Sequence, residues 1–398
     1  VKQMIYSEFQ GEKLSLLGFG TMRLPLLPNG RDADIDQQQV DDMVDYAIAH
    51  GVNYFDTAMP YHEGMSEIAV GKSLARYPRD SFKLATKFPG HQTSDSYDPA
   101  AVFELQLRKC QVEYFDFYLL HNINENCINV YTDPKWGIID YFIEQKRAGR
   151  IKHLGFSSHA GLECLGGFLE KYGKDMEFCQ IQLNYMDWTL QQAKEKYELI
   201  SRYDIPVWAM EPVRGGKLSG FGEELEARFK ALRPEDSISS WGFRFLQGLP
   251  EVKMVLSGMS CMEHMVDNIK TFEERDPLSE SENALVLETA ELLKNAIPCT
   301  ACRYCCKGCP AELDIPLLIS LYNDFRVAPS FNISQRLDSM GADRHPSQCI
   351  GCGQCAAICP QKIDIPEKMR EMTEAFGKLP KWDEICKARE AAMKKSMK

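Results

Sequence analysis

The sequence predicts an α/β protein: a (β/α)8 TIM barrel over residues 1–277, then a small, mainly α-helical domain over 278–398. Two observations predict it. From Leu16 to about Phe272, short β-rich runs alternate with longer amphipathic ones. In the last hundred residues one cysteine pattern occurs twice, at 299–310 and 349–360. A chain of 398 residues is also longer than one core needs, so a large domain with a smaller companion is the expected division.

The barrel strands are read at 16–22 (LLGFGTM), 53–58 (NYFDTA), 82–87 (FKLATK), 115–121 (FDFYLLH), 153–158 (HLGFSS), 178–184 (FCQIQLN), 206–211 (PVWAME) and 252–258 (VKMVLSG). Between them QQQVDDMVDYAIAH, PAAVFELQLRKC and QQAKEKYELISRY place apolar residues at helical spacing. Eight such units over about 250 residues is barrel size. An open doubly wound sheet is the alternative, but no G-x-G-x-x-G opens a helix after any strand. GFGTMRLP at 18–25 lacks the third glycine and runs into Pro25.

A barrel collects its polar chemistry at the carboxyl ends of its strands. Asp56 closes the second strand with Tyr61 just beyond, Lys87 closes the third, His121 the fourth, and Ser157 and Ser158 the fifth. Singly, each has an ordinary explanation: a helix cap, a surface aromatic, a solvated strand end, a core histidine. Their succession along neighbouring strands is harder to attribute to packing.

GVNYFDTAMPY, KLATK, DFYLLH, GFSSH and CQIQLNY resemble, in order, the signature segments of the aldo/keto reductases, over roughly residues 5–275. The resemblance implies a general acid at Tyr61 with Asp56, Lys87 and His121 around it. It also implies an NADP or NAD cofactor and a small carbonyl or alcohol substrate. On the cofactor it places Thr21 and Met22 near the first strand and Ser157, Ser158 and Gln180 at the nicotinamide carboxamide, Ser158 standing where many members have Asn. Met210 replaces the family's stacking aromatic, and a thioether still packs on a ring. Pro212, Gly216 and Leu218 follow in AMEPVRGGKL, with Arg214 or Lys217 as sources of charge for a pyrophosphate; an ordinary Gly-rich turn is the alternative there. Asn268 matches the adenine-contacting Asn, whereas Gly258 and His264 stand where many members carry a basic pair for a 2′-phosphate. NADPH preference is therefore not assumed.

The chemistry of the quartet also follows from first principles. Hydride addition to a carbonyl leaves an alkoxide, which needs a proton donor matched to the operating pH. A phenol titrates near 10, so a neighbouring ammonium must favour phenolate, and a carboxylate must hold that ammonium charged. A histidine donating to the carbonyl oxygen polarises and positions it. His62, next to Tyr61, is the rival proton carrier.

Each tail motif reads C-x2-C-x2-C-x3-C-P, the bacterial ferredoxin run for [4Fe–4S] clusters, whose fourth cysteine ligates the other cluster in two-cluster proteins. Cys299, Cys302, Cys305 and Cys359 are assigned to one cluster, and Cys349, Cys352, Cys355 and Cys309 to the second. Zinc would leave half of these thiols idle, and disulfides would need an oxidising compartment, which the opening VKQMIYSEFQ does not suggest. Cys306 competes with Cys305. The intervening LDIPLLISLYNDFRV and FNISQRLDSMGAD read as helices, so the tail resembles the α-helical ferredoxin type and the chain the iron–sulfur-fused branch of the reductases. Residues 278–296 read as a helical linker, and IPEKMREMTEAFGK and KAREAAMKKSMK as solvated helices.

A formal charge of −11, from 46 basic and 57 acidic side chains, argues against nucleic acid or an anionic membrane as partner. No apolar run reaches the roughly 20 residues of a membrane span. Fifteen cysteines fit a reducing cytoplasm. Three readings follow: hydride chemistry in the barrel with clusters for electron transfer to a partner, sensing or stability; clusters feeding a barrel-bound acceptor or flavin; or an electron carrier with a silent barrel. The intact quartet opposes the third. The loop at 121–136 is expected to shape the substrate pocket, without naming the substrate.

Overall fold

Eight parallel strands close into a barrel in the computed structural model, which describes residues 4–381 and 384 apart from 29, 93–95, 222, 294–296 and 328–330. A hairpin precedes it: β1 (Tyr6–Phe9) pairs antiparallel with β2 (Glu12–Ser15). The barrel strands are β3 (Leu17–Gly20), β4 (Tyr54–Asp56), β5 (Lys83–Phe88), β6 (Phe115–Ile123), β7 (Ile151–Ser158), β8 (Cys179–Gln182), β9 (Val207–Met210) and β10 (Val252–Ser257). Each pairs with the next in sequence, and β10 returns to β3. Every strand expected from the β-rich runs is present. The hairpin was not expected, because YSEFQGEKLS is short and half polar. Its one large apolar group explains its place: Phe9 packs among Phe117, Phe178 and Trp208, plugging the core with aromatic edges.

Helices between the strands bury the apolar stripes their sequences carry. Gln37–Ala49 is capped by the Asp36 side chain accepting from the Gln39 N–H, and Pro99–Cys110 by Asp98 accepting from Ala101 N–H. These helices hold the strand ends in register, so that Asp56 lies opposite Ala85 and Lys87 opposite Leu119.

The chain divides into two compact units, residues 1–291 and 292–398. The stretch read as a linker holds the helix Glu280–Leu293, which is tied to the first unit by the Arg233–Glu282 and Arg228–Glu288 ion pairs. In the second unit the helices are Ile315–Val327, Phe331–Met340, Gln354–Ala357 and Ile365–Phe376. Leu318, Ile319, Leu321, Met369 and Met372 form its core, with Cys299, Cys305 and Cys355 buried at the margin. The stretch KAREAAMKKSMK at 387–398 lies outside the described residues.

The tail repeats itself beyond its cysteines. CPAELDIP at 309–316 and CPQKIDIP at 359–366 adopt one conformation: Glu312 and Lys362 are left-handed (φ 49 and 52), and their N–H groups donate to Cys309 and Cys359 at 3.0 Å each. Asp314 and Asp364 then cap the helices that follow. Each cysteine run thus ends in a tight turn that leads into an N-capped helix.

Candidate active site and cysteine loops

Lys87 is fully buried, and its ammonium donates to Asp56 Oδ1 at 2.5 Å, to the Thr57 carbonyl at 2.7 Å and to the Tyr61 hydroxyl at 3.3 Å. Strand pairing creates this geometry. β4 and β5 are neighbours, so their carboxyl ends deliver Asp56 and Lys87 side by side, and the short turn 58–61 returns Tyr61 over them. Burial pushes the Asp56 carboxyl above the usual carboxylate range and the Lys87 ammonium below its own, while each charge opposes the other's shift. Among the described residues, Asp56 Oδ2 has no hydrogen-bond partner.

His121 stands edge-on to Tyr61, with ring centroids 6.0 Å apart, and against His91 at 4.4 Å. Burial, then His91, Lys87 and His159, hold its imidazole well below the ordinary histidine range. His91 and His159 are likewise pushed down, to about 4 and about 3, mainly by burial. His121 is therefore a neutral imidazole, able to donate one hydrogen bond to a carbonyl oxygen. Its Nδ1 is buried without a partner among the described residues. His91, in KFPGHQT, carries no signal in the sequence, and only the fold reveals it beside His121.

His62 has a different role from the one its position suggested. Its Nε2 accepts from the Leu24 N–H at 3.0 Å and its Nδ1 meets the Asp32 carbonyl at 2.8 Å. With both nitrogens committed to the loop 24–32 and φ at 51, the ring is a structural clamp. Tyr61 alone of the two faces the Lys87–Asp56 pair.

The groups assigned to a nucleotide lie at the same carboxyl end. Ser157 accepts from the Asn122 N–H, and Ser158 donates to the Ile123 carbonyl, both within the strand-end frame. Gln180 is buried; its Nε2 donates to the Met210 sulfur at 3.5 Å, and its Oε1 has no partner among the described residues. The Thr21 hydroxyl donates to the Asp56 carbonyl at 2.9 Å and meets Ser66, while Met22 is half-buried beside it. Pro212 and Leu218 are buried and Gly216 is exposed with φ 89. Asn268 donates to Ser257 at 2.9 Å, and exposed His264 accepts from the Ser260 N–H. Gly258 lies beside Arg23, whose guanidinium is paired with Glu211 at 2.9 Å. Arg214 does not offer its charge to a phosphate in the way its place in the loop suggested, because its guanidinium is buried against Asp187.

The two cysteine loops share one backbone shape. Ala301 and Arg303 in the first, and Gly351 and Gly353 in the second, occupy the left-handed region at matching places between the cysteines. Glycine is at ease there and alanine and arginine are strained, so the first loop keeps the shape at a cost of roughly 1 kcal/mol per residue. Of the adjacent Cys305 and Cys306, Cys305 is the more buried. Cys309, Cys349, Cys352 and Cys355 line one apolar cavity with Leu313 and Met369. Among the described residues no three His, Cys, Asp or Glu side chains converge closely enough to hold a single metal ion. The thiols instead surround a space. A set of four thiols in an apolar setting, one from the first run and three from the second, suits a [4Fe–4S] cube.

Comparison with known proteins places the two units. Residues 16–291 match the aldo/keto reductase family, and residues 298–363 match the 4Fe-4S dicluster domain. Among relatives, a probable aldo-keto reductase 1 of Glycine max is 26% identical over 221 residues, 54% of this chain and 60% of that protein. The uncharacterized oxidoreductase YqkF of Bacillus subtilis (strain 168) is 26% identical over 282 residues, 63% of this chain and 87% of that protein. The solved structure of the aldo-keto reductase AKR11C1 from Bacillus halodurans, in its holo form, superposes with a TM-score of 0.57 at 24% identity, over 72% of this chain and 96% of that one. The barrel, its strand-end quartet and the matched segment agree: this chain belongs to the aldo/keto reductase family and continues into a 4Fe–4S dicluster domain.

Proposed function

We propose that the barrel interconverts a small carbonyl compound and its alcohol with NADH or NADPH, and that the tail carries two [4Fe–4S] clusters. The observation that carries this reading is the buried hydrogen-bonded set Asp56–Lys87–Tyr61 beside neutral His121. A reduced nicotinamide, when bound, supplies the hydride. Tyr61 gives its phenolic proton to the carbonyl oxygen as that oxygen becomes an alkoxide, and the Lys87 ammonium stabilises the phenolate left behind. Asp56 keeps that buried ammonium charged. His121 donates to the same oxygen and orients the carbonyl.

Ser157, Ser158, Gln180, Met210 and Asn268 are the residues that would hold the nucleotide. The buried Gln180 Oε1, without a partner among the described residues, supports this, since a carboxamide N–H would satisfy it. In the tail, Cys309, Cys349, Cys352 and Cys355 would hold one cluster, and Cys299, Cys302, Cys305 and Cys359 the other. When bound, the clusters would supply electron transfer, sensing or stability, and an electron-transfer partner belongs to the first of these.

The test is anaerobic turnover of a panel of aldehydes, ketones and alcohols with NADH and NADPH, followed at 340 nm. Nucleotide oxidation dependent on a carbonyl substrate is expected. Turnover only with dithionite-reduced protein, with neither nucleotide bound or oxidised, would defeat the reading.

A further inference from the structure

We infer that the buried Asp187–Arg214 ion pair positions the loop 211–218 to receive the nucleotide, an inference that rests on the barrel being NAD(P)H-dependent. Neither residue belongs to the quartet. Asp187 is inaccessible and Arg214 is 1% exposed, the guanidinium Nε lying 3.1 Å from both carboxylate oxygens. The same carboxylate accepts from Gln182 at 2.6 Å and Asn184 at 2.7 Å. Asn184 also donates to the Glu211 carbonyl at 2.9 Å and accepts from the Asp187 N–H at 2.8 Å. One carboxylate therefore ties the end of β8 to the loop that follows β9 at two points, Arg214 directly and Glu211 through Asn184.

That loop would not hold its shape unaided. Glu211 and Arg214 lie in the left-handed region (φ 56 and 51), followed by Gly215 and Gly216 (φ 64 and 89). Non-glycine residues are strained in that region and persist there only where the surroundings over-determine them. A buried ion pair adds little to stability compared with apolar residues of the same volume. What it adds here is direction, since the carboxylate fixes Arg214 and, through Asn184, Glu211. The exposed Gly215 and Gly216 are thereby presented in the loop that follows the carboxyl end of β9.

The full-length holoprotein with Asp187→Asn tests this. Titration with NADH and NADPH is expected to show Kd raised at least about tenfold, with turnover at saturating nucleotide within about threefold, since pre-organisation and not chemistry is lost. Amide exchange of peptides spanning 211–218 should quicken while strands β4 to β6 stay protected. Arg214→Lys, which keeps the charge but not the fork, should fall between wild type and Asp187→Asn. Should the single variant fail to fold, Asp187→Asn with Arg214→Met removes both charges and should fold yet bind nucleotide weakly. Unchanged Kd in any folded Asp187 variant, or losses in kcat and affinity that merely follow the fraction folded, would overturn the inference while leaving the proposed function intact. Wild-type protein that binds neither nucleotide would overturn both.

Discussion

The Lys87 ammonium donates to the Tyr61 hydroxyl oxygen across 3.3 Å, so the phenol accepts from its neighbour and directs its own O–H elsewhere. That polarity suits a proton donor whose conjugate base is stabilised before it forms. Tyr61→Phe is accordingly expected to cut turnover about 10²–10⁴-fold with nucleotide affinity almost unchanged. His62→Ala provides the contrast: losing its contacts to Leu24 and Asp32 should cost about 1–3 kcal/mol of stability and leave the proton donor in place. Equal losses of turnover in both variants would return His62 to the chemistry.

Asp56→Asn acts on the ammonium. The Asp56 charge raises the Lys87 pKa against burial, so removing it lets that pKa fall further. The charged form is then lost at lower pH, and the alkaline limb of kcat/KM should move down by at least about one pH unit. A limb that stays where it is in a folded variant would mean that another group titrates there.

The barrel was legible because its parallel strands are largely buried and read as short β-rich runs alternating with amphipathic stretches, and the quartet because strand ends place chemistry at fixed offsets. GVNYFDTAMPY alone locates Asp56 and Tyr61. What was not legible depends on contacts between distant segments. His62 became a clamp through Leu24 and Asp32, Arg214 was drawn inward by Asp187, and His91 meets His121 only once the chain folds. The hairpin escaped notice because its stability comes from Phe9 inserting among barrel aromatics, a tertiary effect that a ten-residue window does not contain.

Histidines buried in the neutral state make stability depend on pH. His91 and His159 are depressed from about 6.5 to about 4 and about 3 in the fold. Below about 6.5 the unfolded chain binds protons that the folded chain refuses, so stability is lost as pH falls from there toward 4. Each histidine contributes at most about 1.4 kcal/mol per pH unit over that window. His91→Gln should flatten the decline measured by thermal melts between pH 7 and 5. Parallel slopes for variant and wild type would show that His91 takes up its proton in the fold without penalty.

The crossed arrangement of cysteines can be separated from the uncrossed one by counting iron. Wild-type protein, purified anaerobically, should hold about eight iron per chain, and Cys309→Ser about four. The double variant Cys309→Ser with Cys349→Ser decides the connectivity. If Cys309 completes the set of Cys349, Cys352 and Cys355, as the cavity they line together implies, both substitutions strike one cluster and about four iron remain. If each run of four held its own cluster, the double variant would damage both and retain almost none. Paramagnetic resonance of the reduced double variant should then show one isolated [4Fe–4S] centre, without the broadening that two interacting centres produce in the wild type. Zinc in place of iron after reconstitution would remove the clusters from the reading altogether.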